Sequence, residues 1–162
     1  MLVIADSSPL IALVNIGQIN VLPTLFGDVT IPRLVADELA GARRPQLVRD
    51  FIASPPVWLY VRSPSVIESI PLLQPAESAA ISLARELSAD LLLIDEIQGR
   101  KAAAARNLKI TGTIGILELA ASAKLIDLQE AFDRLKQTDF WISHKLLDQR
   151  LAMFRGKNPP KS

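Results

Sequence analysis

Residues 2–13 read LVIADSSPLIAL: an apolar run, one aspartate, two serines, then a second hydrophobic stretch. The unbroken run LVIA (2–5) fits a strand buried on both faces, as in a parallel sheet. The serine and proline that follow Asp6 fit the start of a helix. The same pattern returns in ADLLLIDE (89–96), where another apolar run ends on Asp95. Strands that each lead into a helix predict an α/β domain with a largely parallel sheet. Asp6 is then open to three readings: a helix cap, a metal ligand or a nucleophile.

The rest of the chain keeps the alternation. SPLIALVNIG (8–17) and QINVLPTLFG (18–27) read as two helices, each closed by a glycine. DVTIP (28–32) is a short strand, with Pro32 in the first turn of the helix PRLVADELA (32–40). PQLVRDFIA (45–53) is helical, VWLYV (57–61) a strand, and a Pro/Ser-rich loop runs to about Pro75. PAESAAISLAREL (75–87) is an amphipathic helix, IQGRKAAAARNL (97–108) an Ala-rich one, KITG (109–112) a short strand and TIGILELAASAKL (113–125) a further helix. Two more helices, around LQEAFDRLKQ (128–137) and HKLLDQRLAMF (144–154), precede GKNPPKS (156–162), a flexible basic tail. No repeat or linker divides the chain, so residues 1–155 are expected to form a single domain.

At 162 residues, 49% of them hydrophobic, the chain is long enough to bury a substantial core. Its mean hydropathy is high, at +0.27, yet no apolar run reaches the ~18 residues a membrane span requires. No basic segment precedes the first apolar run, so neither a signal peptide nor membrane association is expected, and the location expected is cytoplasmic. Cysteine is absent and His144 is the sole histidine. That excludes disulfides, thiolate zinc sites and cysteine nucleophiles, and argues against a Ser-His-Asp triad. Chemistry is left to carboxylates, hydroxyls, Lys and Arg. Residues 1–133 carry 11 basic against 15 acidic side chains, a balance of −4, while residues 134–162 carry 7 against 2, a balance of +5. The basic end suits phosphate contacts as well as it suits a solvated helix and tail.

In an open parallel sheet, ligands bind outside the carboxyl ends of the strands. Asp6 and Asp95 stand at such ends, and two of them together favour a shared site over two separate caps. Glu38 and Glu77 add acids from helices. Glu77 lies in a first turn, where a carboxylate also suits the helix dipole. Glu38 borders an apolar face made by Leu34, Val35 and Leu39, but its neighbour Asp37 points only about 100° away around the helix. A phosphatase using Asp6 as nucleophile would want a second acid two residues on, where this chain has Ser8.

The motifs D-S-S-P-L-I (6–11), I-P-x-x-V-x-x-E-L (31–39), A-E-S-A-A-I-x-L-A (76–84) and L-L-I-D-E-x-x-G-R-x-x-A (92–103) resemble those of PIN-domain nucleases. The nearest likeness is to a prokaryotic branch of PIN-like proteins related to VapC-like toxins. T-G-T-I-G-I-L-E-L-A (111–120) and F-W-I-S (140–143) extend it over nearly the whole chain, in order. One departure is Ala76, where a glycine commonly precedes the third acid.

The resemblance implies a three-layer α/β/α domain around a mostly parallel sheet of four to five strands. It implies an acidic quartet at Asp6, Glu38, Glu77 and Asp95, with Asp6 and Asp95 as principal ligands of Mg²⁺ or Mn²⁺, Glu77 a ligand directly or through water, and Glu38 orienting the attacking water or a second ion. Ser7 would support the first acid, and Ser8 would start the helix. Glu96 stands beside Asp95 as a substitute ligand. The implied activity is metal-dependent hydrolysis of single-stranded RNA by an endoribonuclease, the toxin of a toxin–antitoxin pair. The implied partners are RNA, a small antitoxin protein blocking the acidic cleft, and a second copy in a homodimer. The alternative is a catalytically weak PIN-like module that binds RNA or protein. Hard divalent cations prefer oxygen ligands, and four crowded carboxylates need a cation to stay ionised together. The chemistry therefore agrees with a chain lacking cysteine.

Arg100 and Lys101 begin a helix soon after Asp95, where they suit phosphate contacts as well as ordinary surface charge, and Thr111 and Thr113 are expected to line the cleft edge. Gly112-Thr113-Ile114-Gly115 lacks the spacing of a phosphate-binding loop and reads as a tight turn. His144 is expected at the surface near a helix N-terminus. Trp58 and Trp141 are expected in the core, because the sparse aromatics make no stacking platform of the RNA-recognition kind.

Overall fold

The computed structural model describes residues 1–159. The chain begins with β1 (Val3–Ala5), α1 (Ser7–Asn15), α2 (Val21–Phe26), β2 (Val29–Ile31), α3 (Arg33–Leu39), α4 (Gln46–Ala53) and β3 (Leu59–Val61). It continues with α5 (Pro75–Glu86), β4 (Leu91–Leu93), α6 (Ile97–Ala105), β5 (Ile110–Thr111), α7 (Thr113–Ser122), α8 (Leu128–Lys136) and α9 (His144–Lys157). The strands form one five-stranded sheet ordered β3-β2-β1-β4-β5, parallel at every pairing.

Strand pleating explains the layers, since successive side chains point to opposite faces. On one face Val3, Ala5 and Leu93 pack in a core with Leu10 and Leu13 of α1, Leu117 of α7 and Phe132 of α8. On the other, Ile4, Leu92 and Ile94 pack with Ile81 and Leu83 of α5 and Ala103 of α6. Both faces of the central strands are covered, which is why LVIA and LLLI are apolar at every position. This is the α/β/α arrangement expected, with a sheet at the upper end of the expected strand count.

Several local expectations are corrected. Pro32 stands at the N-cap of α3 rather than inside its first turn. The buried face of that helix is Val35, Ala36 and Leu39, while Leu34 is exposed. Trp141 is not a core residue: 49% of its surface is accessible. It sits between Phe140 and Ile142, which do pack on the core, while its own ring stacks beside that of Phe140 at the surface. Trp58 does lie against the core, its ring 6.1 Å from that of Phe51. Of the tail expected over 156–162, Gly156 and Lys157 belong to α9, and residues 160–162 lie outside the described residues. Among the described residues, no helix is long and apolar enough to cross a membrane.

Candidate active site

The chain passes from β1 outward through β2 to β3, then returns to add β4 on the other side of β1. The strand order therefore reverses between β1 and β4, which opens a crevice at their carboxyl ends. Asp6 directly follows β1, and Asp95 stands two residues beyond β4. The Asp6 N–H donates to the Leu93 carbonyl at 2.9 Å, holding the two strand ends together. Both aspartates are buried.

Their surroundings differ. Asp6 occupies the N-cap position of α1, yet its side chain makes no capping hydrogen bond. Its Oδ1 is buried and has no partner, a costly state for a carboxylate oxygen. Burial pushes the Asp6 carboxyl up to about 7, helped by the carboxylates of Glu77, Glu38 and Asp95. The Ser7 N–H pulls the other way without forming a well-shaped cap bond. Asp95 is fully engaged by comparison. It accepts from the Thr113 N–H at 2.7 Å, the Thr113 hydroxyl at 2.8 Å and the Ser8 hydroxyl at 3.0 Å. Burial still raises its carboxyl above the ordinary range, against the pull of those bonds and of Arg100.

These contacts settle the turn at Gly112-Thr113-Ile114-Gly115. It is a cradle at the N-terminus of α7, and the anion in it is the chain's own Asp95. A Cβ on Gly112 would stand 2.6 Å from Asp95 Oδ1 and 3.2 Å from the Ile94 carbonyl oxygen, so glycine is needed for the close approach. Arg100 also faces inward, its guanidinium donating to the Ile94 carbonyl at 3.2 Å. Lys101 is exposed, and Thr111 is half-buried at the end of β5.

Above Asp6 lies an open cavity of about 650 Å³ whose walls include Glu38, Glu77 and Glu96. Packing of α3 on α5 brings the first two acids to it. Glu38 is half-buried at the cavity, whereas Asp37 is exposed and not part of the wall. Burial raises the Glu77 carboxyl, with Glu96 and Glu38 adding to it and the Gln74 backbone opposing. Glu38 is paired with Arg44 at 2.9 Å. Ser7 borders the cavity as well. Lys101, Thr111, Thr113 and Asp95 do not reach its wall.

Three participants escape sequence reasoning. Ser8, assigned only to the helix start, is a direct partner of Asp95. Arg44 reaches back across Gly41 to Glu38, a contact with no regular spacing to announce it. Trp141 borders the same cavity from the segment between α8 and α9.

Among the described residues, no three Asp, Glu or His side chains stand close enough together to cage one ion. The donor set nevertheless suits a hard divalent cation. Mg²⁺ is usually held by one or two carboxylates and keeps several waters, and Asp6 Oδ1 is a buried carboxylate oxygen with no hydrogen-bond partner that a cation would satisfy.

Comparison with known proteins agrees with the fold. The family model DUF3368, a PIN domain, matches residues 2–155. A solved PilT N-terminus domain protein from the hyperthermophilic archaeon Sulfolobus solfataricus P2 is similar in fold, with a TM-score of 0.52 and 20% identity over 78% of this chain and 97% of that one. No curated protein matches the chain.

Proposed function

Because the chain belongs to the PIN-domain family DUF3368, we propose that it is a nuclease that uses Mg²⁺ or Mn²⁺ to hydrolyse phosphodiester bonds of single-stranded RNA. The observation that carries this reading is Asp6: a carboxylate with a free oxygen, raised by its burial and further by three other acids, at the switch point of the sheet. A cation there would relieve both the burial and the mutual repulsion.

Asp6 and Glu77 would hold the ion. Asp95 has one lone pair left on Oδ1 after its three hydrogen bonds; its larger contribution is the negative field behind Asp6. Glu38 would accept a proton from the attacking water once Arg44 shifts from it toward the phosphate. Ser7 would steady Asp6 through its backbone N–H. The bound ion supplies neutralisation of phosphate charge and a more acidic water. The products would carry a 5′-phosphate and a 3′-hydroxyl. A base-paired helix would be excluded by the depth at which Asp6 lies. The role proposed in the cell is that of a toxin, with a small antitoxin covering the open acidic cavity.

The test is cleavage of a mixed single-stranded RNA pool with Mg²⁺ or Mn²⁺, repeated with EDTA and with Asp6→Asn. Cleavage should require the ion and fall at least ~100-fold in Asp6→Asn, in line with losing a group central to a metal site, with an unchanged circular dichroism spectrum. Full activity in Asp6→Asn, or in EDTA, overturns the proposal.

A further inference from the structure

Trp141 is the most informative apolar side chain on the surface, because it is half exposed beside a cavity otherwise rich in charge. Exposed aromatic rings forgo the stabilisation of burial, so one held in place at a polar rim points to a ligand. Phe140 and Ile142 on either side anchor the segment to the core, and the Trp141 ring stacks on that of Phe140, with centroids 5.9 Å apart and planes 29° from parallel. The same cavity is lined by Asn15, Gln74 and Gln98, and by Arg43 and Arg44.

We propose that Trp141 is the stacking platform for one unpaired base of the RNA strand, a reading that rests on the nuclease function proposed above. The chemistry of the wall matches that ligand part by part. A nucleobase has an apolar π face, which fits the indole. Its edges are donors and acceptors, which amides can meet. The flanking phosphates suit Arg43 and Arg44. An aliphatic side chain from a protein partner would leave the amides unmatched. Stacking demands that the base be free of a pair, which gives the preference for single strands a second physical origin besides cavity depth. The assignment also gives F-W-I-S (140–143) a role that its position between two helices does not supply.

The test uses the full chain carrying Trp58→Phe, so that Trp141 is the remaining tryptophan, together with Asp6→Asn to stop cleavage. Tryptophan fluorescence is followed in Mg²⁺ on adding a ~9-nucleotide single-stranded RNA or an abasic chain of equal length, quenching by stacked bases being the readout. RNA should quench the emission and the abasic chain should not. In fluorescence anisotropy, Trp141→Ala should weaken RNA binding roughly 10-fold or more, the scale set by base–aromatic stacking, while Trp141→Phe keeps most of it. RNA binding that is absent, unaffected by Trp141→Ala, or matched by the abasic chain overturns the proposal. Cleavage by the protein with Asp6 intact is assayed separately. Cleavage without a Trp141 effect removes the stacking site alone, and quenching without cleavage removes the nuclease reading alone.

Discussion

The Ser8 hydroxyl on α1 donates to Asp95 Oδ2 at 3.0 Å, joining the first turn after β1 to the acid that follows β4. The bond crosses the switch point of the sheet and ties together the two halves that make the crevice. Ser8→Ala would leave a buried carboxylate with one fewer donor and allow its proton affinity to rise further. A hydrogen bond to a charged buried group contributes about 1.5–3 kcal/mol, so urea unfolding of Ser8→Ala should show a loss of that order. Ser8→Thr, which keeps the hydroxyl, should lose less. Equal stability of Ser8→Ala and the parent would show that the bond carries no weight.

Stability in the absence of divalent ions should fall as pH rises from about 4 to 7.5. Asp6 has an ordinary value of 3.8 when unfolded and one of about 7 when folded. Between those values the folded state binds more protons than the unfolded state, so raising the pH favours unfolding. The ceiling for Asp6 alone is roughly 4 kcal/mol, and Asp95 and Glu77 shift in the same direction. Glu68, held below its usual range by Arg106, acts oppositely on the acid side, so the comparison must be made against Asp6→Asn. That variant should show a flatter profile and exceed the parent in stability at pH 7.5. Millimolar Mg²⁺ should flatten the parent's profile too. Parallel profiles for the two proteins would refute a raised Asp6.

Gly112→Ala should be among the most damaging small changes in the chain. The added carbon would meet Asp95 Oδ1 at 2.6 Å, Arg100 Nη1 at 2.9 Å and the Ile94 carbonyl oxygen at 3.2 Å. Asp95 is pinned by Thr113 and Ser8, and the Ile94 carbonyl is backbone that accepts from Arg100. Overpacking of this kind costs about 1–3 kcal/mol, and moving Asp95 would also release Thr113 and lower cleavage. Gly156→Ala, near the end of α9, has nothing within 4 Å of its new carbon and is the control. Matching melting curves for the two variants would contradict the cradle.

How far the sequence discloses this protein depends on the range of the forces involved. LVIA and LLLI announce central strands because parallel strands covered on both faces must be apolar throughout, and the acids at their ends inherit that placement. Glu38 against Asp37 is a different matter. Adjacent positions on a short helix differ by about 100°, and only the packing of α3 on α5 decides which of them meets the cavity. Ser8 and Asp95 are 87 residues apart, and a hydroxyl next to an acid in sequence, as Ser7 is to Asp6, draws attention away from the one that makes the bond. Trp141 misleads for a related reason. A tryptophan between phenylalanine and isoleucine has the composition of a core, and only tertiary packing, which anchors its two neighbours and not its own ring, leaves it at the surface.

Arg44 supplies the remaining prediction. Its guanidinium lies 2.9 Å from Glu38 Oε1, and each side chain is 35% exposed. A pair that open contributes less than about 1 kcal/mol to folding, so Arg44→Ala should leave the urea midpoint nearly unchanged. Its effect on cations should be larger. A fixed positive charge on a cavity acid repels an incoming divalent ion and competes for the same oxygen, so calorimetry should show tighter Mg²⁺ binding by Arg44→Ala, by several-fold. RNA should respond in the opposite sense, because a guanidinium freed from Glu38 is the cavity's natural partner for a phosphate. Tighter ion binding together with weaker RNA binding would identify Arg44 as a counter-ion that is handed from acid to substrate. Weaker binding of both would instead make it a support for the fold of residues 41–45, and equal binding of both would deny it any part in the site.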